Sequence, residues 1–124
     1  MTYSDILNMS PTQLFEWITK EFIIQIPAQI HSIEDMDYAA TTLLKLSSHY
    51  SYLNSLLSYA KIRTRECKRS GDRIEYEDMV DKKEIIQNMT DSVKQQYAAV
   101  SRSVTIRIEN NQELRMNANG YIKG

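Results

Sequence analysis

Apolar residues recur at steps of three and four along most of this chain, which is the spacing of a helix that buries one face. Ser10-Pro11-Thr12-Gln13 has the form of a capping box with proline at the first helical position. Pro27 disfavours the α conformation at the preceding residue. The pattern predicts a first helix over residues 10–26. Its apolar face comprises Leu14, Trp17, Ile18 and Phe22.

The second apolar run is a sustained heptad, and Thr64 occupies its one polar position. Ser32 with two following carboxylates is typical of a helix N-terminus, and Gly71 is a natural left-handed stop. A 3.5-residue repeat is typical of a helix that wraps around another helix. We therefore predict a second helix over residues 32–70. Its seam comprises Met36, Ala39, Leu43, Leu46, Tyr50, Leu53, Leu57, Ala60 and Cys67.

A third run opens with acidic residues, which suit the first turn of a helix, and predicts a helix over residues 74–116. The short Ser70-Gly71-Asp72 segment should fold the second and third helices back on each other. The chain is therefore predicted to be one all-α domain over residues 1–124, in which a short N-terminal helix packs on a long, coiled-coil-like antiparallel hairpin. The apolar positions of the third helix are Met79, Ile86, Met89, Val93, Tyr97, Val100, Val104 and Ile108.

The C-terminal segment admits a second interpretation. Val104 to Ile108 alternates with period two, and Asn119-Gly120 is a hairpin-turn dipeptide, so a small β element is an alternative there. We favour a helix to Met116, because the three-four spacing enters this stretch unbroken. Residues 117–124 are predicted to be a frayed tail.

Charge and composition narrow the classes of function. The chain has 16 acidic and 15 basic residues, so any attraction to nucleic acid must come from a local patch. No basic and apolar leader follows Met1, and the longest apolar run, Phe22 to Ile24, is far shorter than the ~20 residues of a membrane span. We expect a cytoplasmic protein without membrane contact.

Catalytic patterns are absent from the sequence. His31 and His49 lack helical carboxylate partners, and no glycine-rich phosphate loop or glycine-flanked serine nucleophile occurs. Cys67 falls on the heptad seam, where it should fill the core, although Lys68 and Arg69 beside it could increase its reactivity. The prediction is a protein that is not an enzyme and uses no cofactor or metal.

A basic run near the predicted turn admits two interpretations. Its cations either compensate the helix dipole and pair across the turn with the acids that follow it, or form a patch that holds about four phosphates. Charge compensation is favoured, because Glu75, Glu77, Asp78 and Asp81 nearly cancel the charge. The candidate nucleic-acid-binding residues are Lys61, Arg63, Arg65, Lys68, Arg69 and Arg73.

Other surface positions predict protein contacts. Tyr52 and Tyr59 lie seven residues apart and off the seam, where they could anchor a protein partner. The long helices also carry apolar residues beside the seam, which self-association into a homo-oligomer would cover. These flanking residues are Leu44, Leu56, Ile62 and Ile85.

Tyr38-Ala39-Ala40 and Tyr52-Leu53-Asn54 on one long helix, followed by a basic segment and a second long helix, resemble the UvsY-type recombination mediators of T-even phages. The resemblance covers residues 36–116. It implies a helical-hairpin oligomer that binds single-stranded DNA through residues 61–69 and helps to load a recombinase. Two alternatives remain: a phage-type inhibitor that blocks a host protein complex, and a structural helical oligomer.

Overall fold

The computed structural model describes residues 1–23 and 33–123, with the side chains of residues 1–23, 35–106, 108 and 109. Every regular element in these residues is a helix, which confirms the all-α fold. The elements are α1 (Tyr3–Leu7), α2 (Pro11–Phe22), α3 (Ile33–Ser70) and α4 (Arg73–Lys123). The predicted N-cap of α3 at Ser32 lies outside the described residues.

The turn between α3 and α4 uses the chemistry that its sequence predicts. Gly71 has a φ of 79°, in the left-handed region that glycine adopts at no steric cost. The Ser70 hydroxyl donates to the Cys67 carbonyl at 2.8 Å, and the Asp72 carboxylate accepts from the Glu75 amide at 3.1 Å. These bonds stop one helix and start the next, so α3 and α4 form the predicted antiparallel hairpin.

Most of the predicted seam forms the core of this hairpin, whereas Tyr97 and Ile108 are 41% and 44% exposed. Leu46, Leu53 and Ala60 of α3 and Ile86 and Val93 of α4 are all fully buried. Two threonines enter this apolar surface without an unmet hydroxyl, since Thr64 donates to the Ala60 carbonyl and Thr90 to the Ile86 carbonyl, each at 2.7 Å. A heptad with occasional threonines can therefore remain a continuous core.

The two N-terminal helices pack against the hairpin, and both begin with a capping box. In α2, the Gln13 amide donates to the Ser10 hydroxyl at 3.2 Å, and the Ser10 amide donates to the Gln13 side chain at 3.1 Å. Thr2 and Asp5 form the same reciprocal pair at α1, a five-residue helix that was not predicted. Leu14, Ile18 and Phe22 are buried, which confirms the predicted face of α2.

A buried lysine joins α1 to α4. The Lys82 ammonium donates to the Leu7 carbonyl at 2.6 Å and lies 2.7 Å from the Asp78 carboxylate. Lys82 as a whole is only 5% exposed. The carbonyl at the end of α1 thereby gains a donor, which a helix terminus otherwise lacks.

Two predicted helix ends were wrong. The N-terminal helix ends at Phe22 rather than at residue 26, because Ile23 is already extended and β-branched residues favour that conformation. The last helix continues to Lys123, past the predicted end at Met116.

The alternative β element is not formed, because Val104 to Ile108 lies within α4. The Ser103 and Thr105 hydroxyls donate to carbonyls one turn earlier, at 3.1 and 3.0 Å. Their hydrogen bonds are therefore made within the helix and need no neighbouring strand.

Candidate nucleic-acid interface

The hairpin has two flanks, which carry different chemistry. On one flank, the Tyr52 and Tyr59 rings of α3 contact α1 or α2, and Lys82 of α4 binds α1. Helical spacing places Tyr50, Lys61, Arg65 and Lys68 on the opposite side of the α3 seam. We call that opposite side the open face, because the N-terminal helices lie on the other one.

The open face contains a groove of about 420 Å³ beside the interhelical turn, here called the basic groove. Of the six described residues that line it, four are cationic and none is acidic. Among the described residues, no carboxylate oxygen lies within 4.0 Å of these cations. The lining residues are Lys61, Thr64, Arg65, Lys68, Tyr76 and Lys83.

The predicted basic run is divided by the fold. Lys61, Arg65 and Lys68 line the basic groove, whereas exposed Arg69 does not. Arg63 and Arg73 instead make ion pairs, of which the Arg63–Glu75 pair crosses the turn as the charge-compensation interpretation predicted. Arg63 lies 3.0 Å from Glu66 and 4.0 Å from Glu75, and Arg73 lies 3.1 Å from Glu77.

Two lining residues of the basic groove, Lys83 and Tyr76, were missed in the sequence. The register of the hairpin carried a signal for Lys83: Lys61 lies ten residues before Gly71 and Lys83 lies twelve residues after it. Residues at similar distances from a tight turn meet across an antiparallel hairpin. A basic residue on α4 could therefore have been matched to the predicted run.

A second groove of about 200 Å³ lies further from the turn, between α3 and α4, and is here called the tyrosine groove. It is lined by Ser47, Tyr50, Lys94 and Tyr97. The heptad placed both tyrosines in the seam, yet Tyr97 is 41% exposed and Tyr50 is half-buried. Both tyrosines lie at the solvent edge of the seam rather than inside it.

Tyr52 and Tyr59, the predicted partner anchors, belong to an aromatic cluster within the chain. The Tyr3 ring lies 5.5 Å from Tyr52 and 5.9 Å from Tyr59, and the Phe22 ring stacks on Tyr52 at 5.9 Å. Burial raises the pKa of the Tyr52 phenol. Both rings are half-buried by these contacts, which hold α1 and α2 against α3. Partner binding by Tyr52 and Tyr59 stays a prediction.

His49 lies at the contact between α2 and α3, where its ring meets Phe22 edge to face at 4.8 Å. Its Nδ1 atom is buried and has no hydrogen-bond partner among the residues that the structure describes. Burial lowers the pKa of His49, the nearby Lys45 lowers it further, and Glu21 opposes them. His31 lies outside the described residues.

We expect His49 to make the free energy of unfolding depend on pH. Since its folded pKa lies below the unfolded value of about 6.5, the unfolded chain binds more protons in this range. The free energy of unfolding should therefore be highest above this unfolded pKa and should fall as the pH drops through it. Urea unfolding at pH 7.5 and 5.5 measures the loss, which should shrink in His49→Phe. An equal loss in that variant would contradict the assignment.

Cys67 is 3% exposed on the seam. Burial raises the pKa of its thiol, and the nearby Glu75 carboxylate raises it further. A raised thiol pKa opposes the reactivity that Lys68 and Arg69 could confer, so the surroundings of Cys67 favour the predicted core role.

Within the described part of the chain, no group of three or more metal-ligating side chains comes together. No helix in the same residues combines the length and apolar character needed to cross a bilayer.

The basic groove and the tyrosine groove are identified from the structure of this chain alone. Comparison of the chain with protein-family models, characterised proteins and solved structures finds no match.

Proposed function

We propose that this chain is a non-enzymatic accessory protein of nucleic-acid metabolism that binds a single strand along its open face. The observation that supports the proposal is the basic groove, where four cations surround one channel without a carboxylate partner among the described residues. Charges held this way remain available to phosphates. The function is the one that the resemblance to recombination mediators implies.

The distribution of charge supports an anionic ligand despite the net charge of −1. From Tyr38 to Arg65, α3 contains no aspartate or glutamate. Acidic residues cluster instead around the start of α4, where Arg63, Arg73 and Lys82 pair with several of them. The open side of α3 is therefore locally positive, although the whole chain is nearly neutral.

The shape of the groove favours one strand over a duplex. A basic channel with aromatic side chains is how proteins hold single strands without reading their sequence. Tyr76 supplies such a ring among the cations. The channel runs between two helices, whereas the major groove of a duplex takes up a protruding helix or ribbon.

A titration against a fluorescent single strand tests the proposal. Four phosphate contacts predict a log-log salt slope of about −2.8, so affinity should fall about 50-fold between roughly 50 and 200 mM salt. A duplex of the same length should bind more weakly, and light scattering gives the mass of the bound species. Absence of single-strand binding at the lower salt would overturn the proposal and turn the search to a protein partner.

Self-association is part of the same proposal. Of the four flanking apolar residues, Leu56 is fully buried and Ile85 half-buried within one chain. Leu44 and Ile62 remain 74% and 50% exposed. A second copy of the chain would cover these two side chains. The same light-scattering measurement detects this self-association.

A further inference from the structure

We infer that the tyrosine groove stacks a base of the same strand whose phosphates lie in the basic groove. The inference rests on the proposed function and adds a second contact to it. The strand would cross the open face with its backbone on Lys61, Arg65, Lys68 and Lys83 and a base against Tyr97 and Tyr50.

The two tyrosines line one groove, where their rings can contact a base. They come from different helices and meet at one groove, whose other lining residues in the described part of the chain are Ser47 and Lys94. Tyr50 is half-buried against the core, which holds its ring, while Tyr97 is 41% exposed and has ring surface available. Its neighbours in the α4 seam, Val93 and Val100, are 0% and 2% exposed. Core packing therefore accounts for the valines but leaves much of Tyr97 exposed.

Both grooves belong to one face. On α3, Tyr50 is eleven residues before Lys61 and shares its side of the seam. Eleven residues of helix span about 16 Å, because each residue rises about 1.5 Å. At the roughly 3.4 Å spacing of a stacked strand, this distance corresponds to about five nucleotides. One short strand can therefore occupy both grooves together.

The side chains that lie between the two grooves favour bases, rather than phosphates, as the groups that contact the tyrosine groove. Asn54 and Gln87 lie on this stretch, and the Gln87 amide donates to the Asp91 carboxylate at 3.0 Å. The Asp91 carboxylate lies near the path of the strand and repels phosphates that approach this stretch beyond the basic groove. Aromatic rings accept any base on their faces, and Lys94 adds one positive charge beside them.

The test compares Tyr97→Ala with Tyr97→Phe on two 12-nucleotide strands, one of thymidines and one abasic with the same phosphates. Alanine substitution of a stacking ring typically costs 1–3 kcal/mol per base, or roughly 5- to 150-fold in affinity. We expect that loss on the thymidine strand, no loss on the abasic strand and an unchanged salt slope. Tyr97→Phe should bind like the natural chain. Phe15→Ala removes an exposed ring on α2 and should change neither strand.

The outcomes separate the inference from the proposed function. If the natural chain binds neither strand, the proposed function fails, and the inference fails with it. If the natural chain binds but Tyr97→Ala binds equally well, only the stacking contact is wrong. An equal loss on both strands, or a loss explained by dissociation of an oligomer in light scattering, would also overturn it. Circular dichroism of each variant confirms that the helices are intact.

Discussion

Reversing the charge of two groove lysines together, Lys61→Glu and Lys83→Glu, is expected to weaken single-strand binding about 60-fold or more at roughly 50 mM salt. Removing two phosphate contacts accounts for that factor, since each contributes about 0.7 to the salt slope, and the new carboxylates add repulsion. The slope itself should fall by about 1.4. Fluorescence anisotropy at several salt concentrations measures both quantities.

A matched variant distinguishes the groove from general electrostatics. Lys20→Glu with Lys45→Glu changes the net charge by the same amount, but these lysines do not line the basic groove. Lys20 lies on α2, and Lys45 acts on His49, which contacts α2 through Phe22. We expect this variant to keep most of the affinity. Equal losses in the two double variants would show that binding follows net charge, and the groove assignment would be abandoned.

Lys82→Ala is expected to lower the free energy of unfolding by roughly 2–3 kcal/mol, since a buried acceptor that loses its donor costs about 1–3 kcal/mol and buried methylenes are lost as well. The carbonyl of Leu7, which is 3% exposed, would lose its 2.6 Å bond. Asp78 is 40% exposed in its side chain and can be hydrated instead. Urea unfolding followed by circular dichroism measures the change.

The adjacent lysine provides the control for this prediction. Lys83→Ala removes a half-buried side chain that lines the basic groove and makes no ion pair among the described residues. Its stability should stay within about 0.5 kcal/mol of the natural chain, as for most surface changes. Binding should respond in the opposite way, with a reduced salt slope in Lys83→Ala and an unchanged one in Lys82→Ala. If Lys82→Ala unfolds at the same urea concentration as the natural chain, the buried bond does not hold α1.

The main helices and the core could be predicted from the sequence, because local signals and helical periodicity decide them. Ser10 and Gln13 form the expected capping box, Gly71 adopts the expected left-handed conformation, and most of the heptad from Ala39 to Cys67 is buried, with Leu43 and Tyr50 half-buried. Each of these outcomes depends on residues within a few turns of one another. The helix ends were less predictable, since Ile23 and residues beyond Met116 carry weak signals.

Only part of the candidate site could be predicted from the sequence. Lys61, Arg65 and Lys68 stood out as a basic run, but the same run contained Arg63 and Arg73, which pair with acids. Lys83 lies on the other helix, so composition along the chain did not associate it with the others. Opposing charges near a turn allow several pairings, and only the side-chain positions separate the paired cations from the available ones.

The sequence by itself determined the seam, the turn and therefore the hairpin, because a 3.5-residue repeat specifies which stripe of each helix is buried. It did not determine which flank of that seam the N-terminal helices would cover, since apolar residues lie beside the seam on both sides of α3, with Leu44 on one and Leu56 on the other. The tertiary structure decided this by packing Tyr3 and Phe22 against Tyr52 and tying Leu7 to Lys82. Contacts between residues that lie 75 apart in the chain follow from the shape and docking of whole elements, which no local pattern encodes.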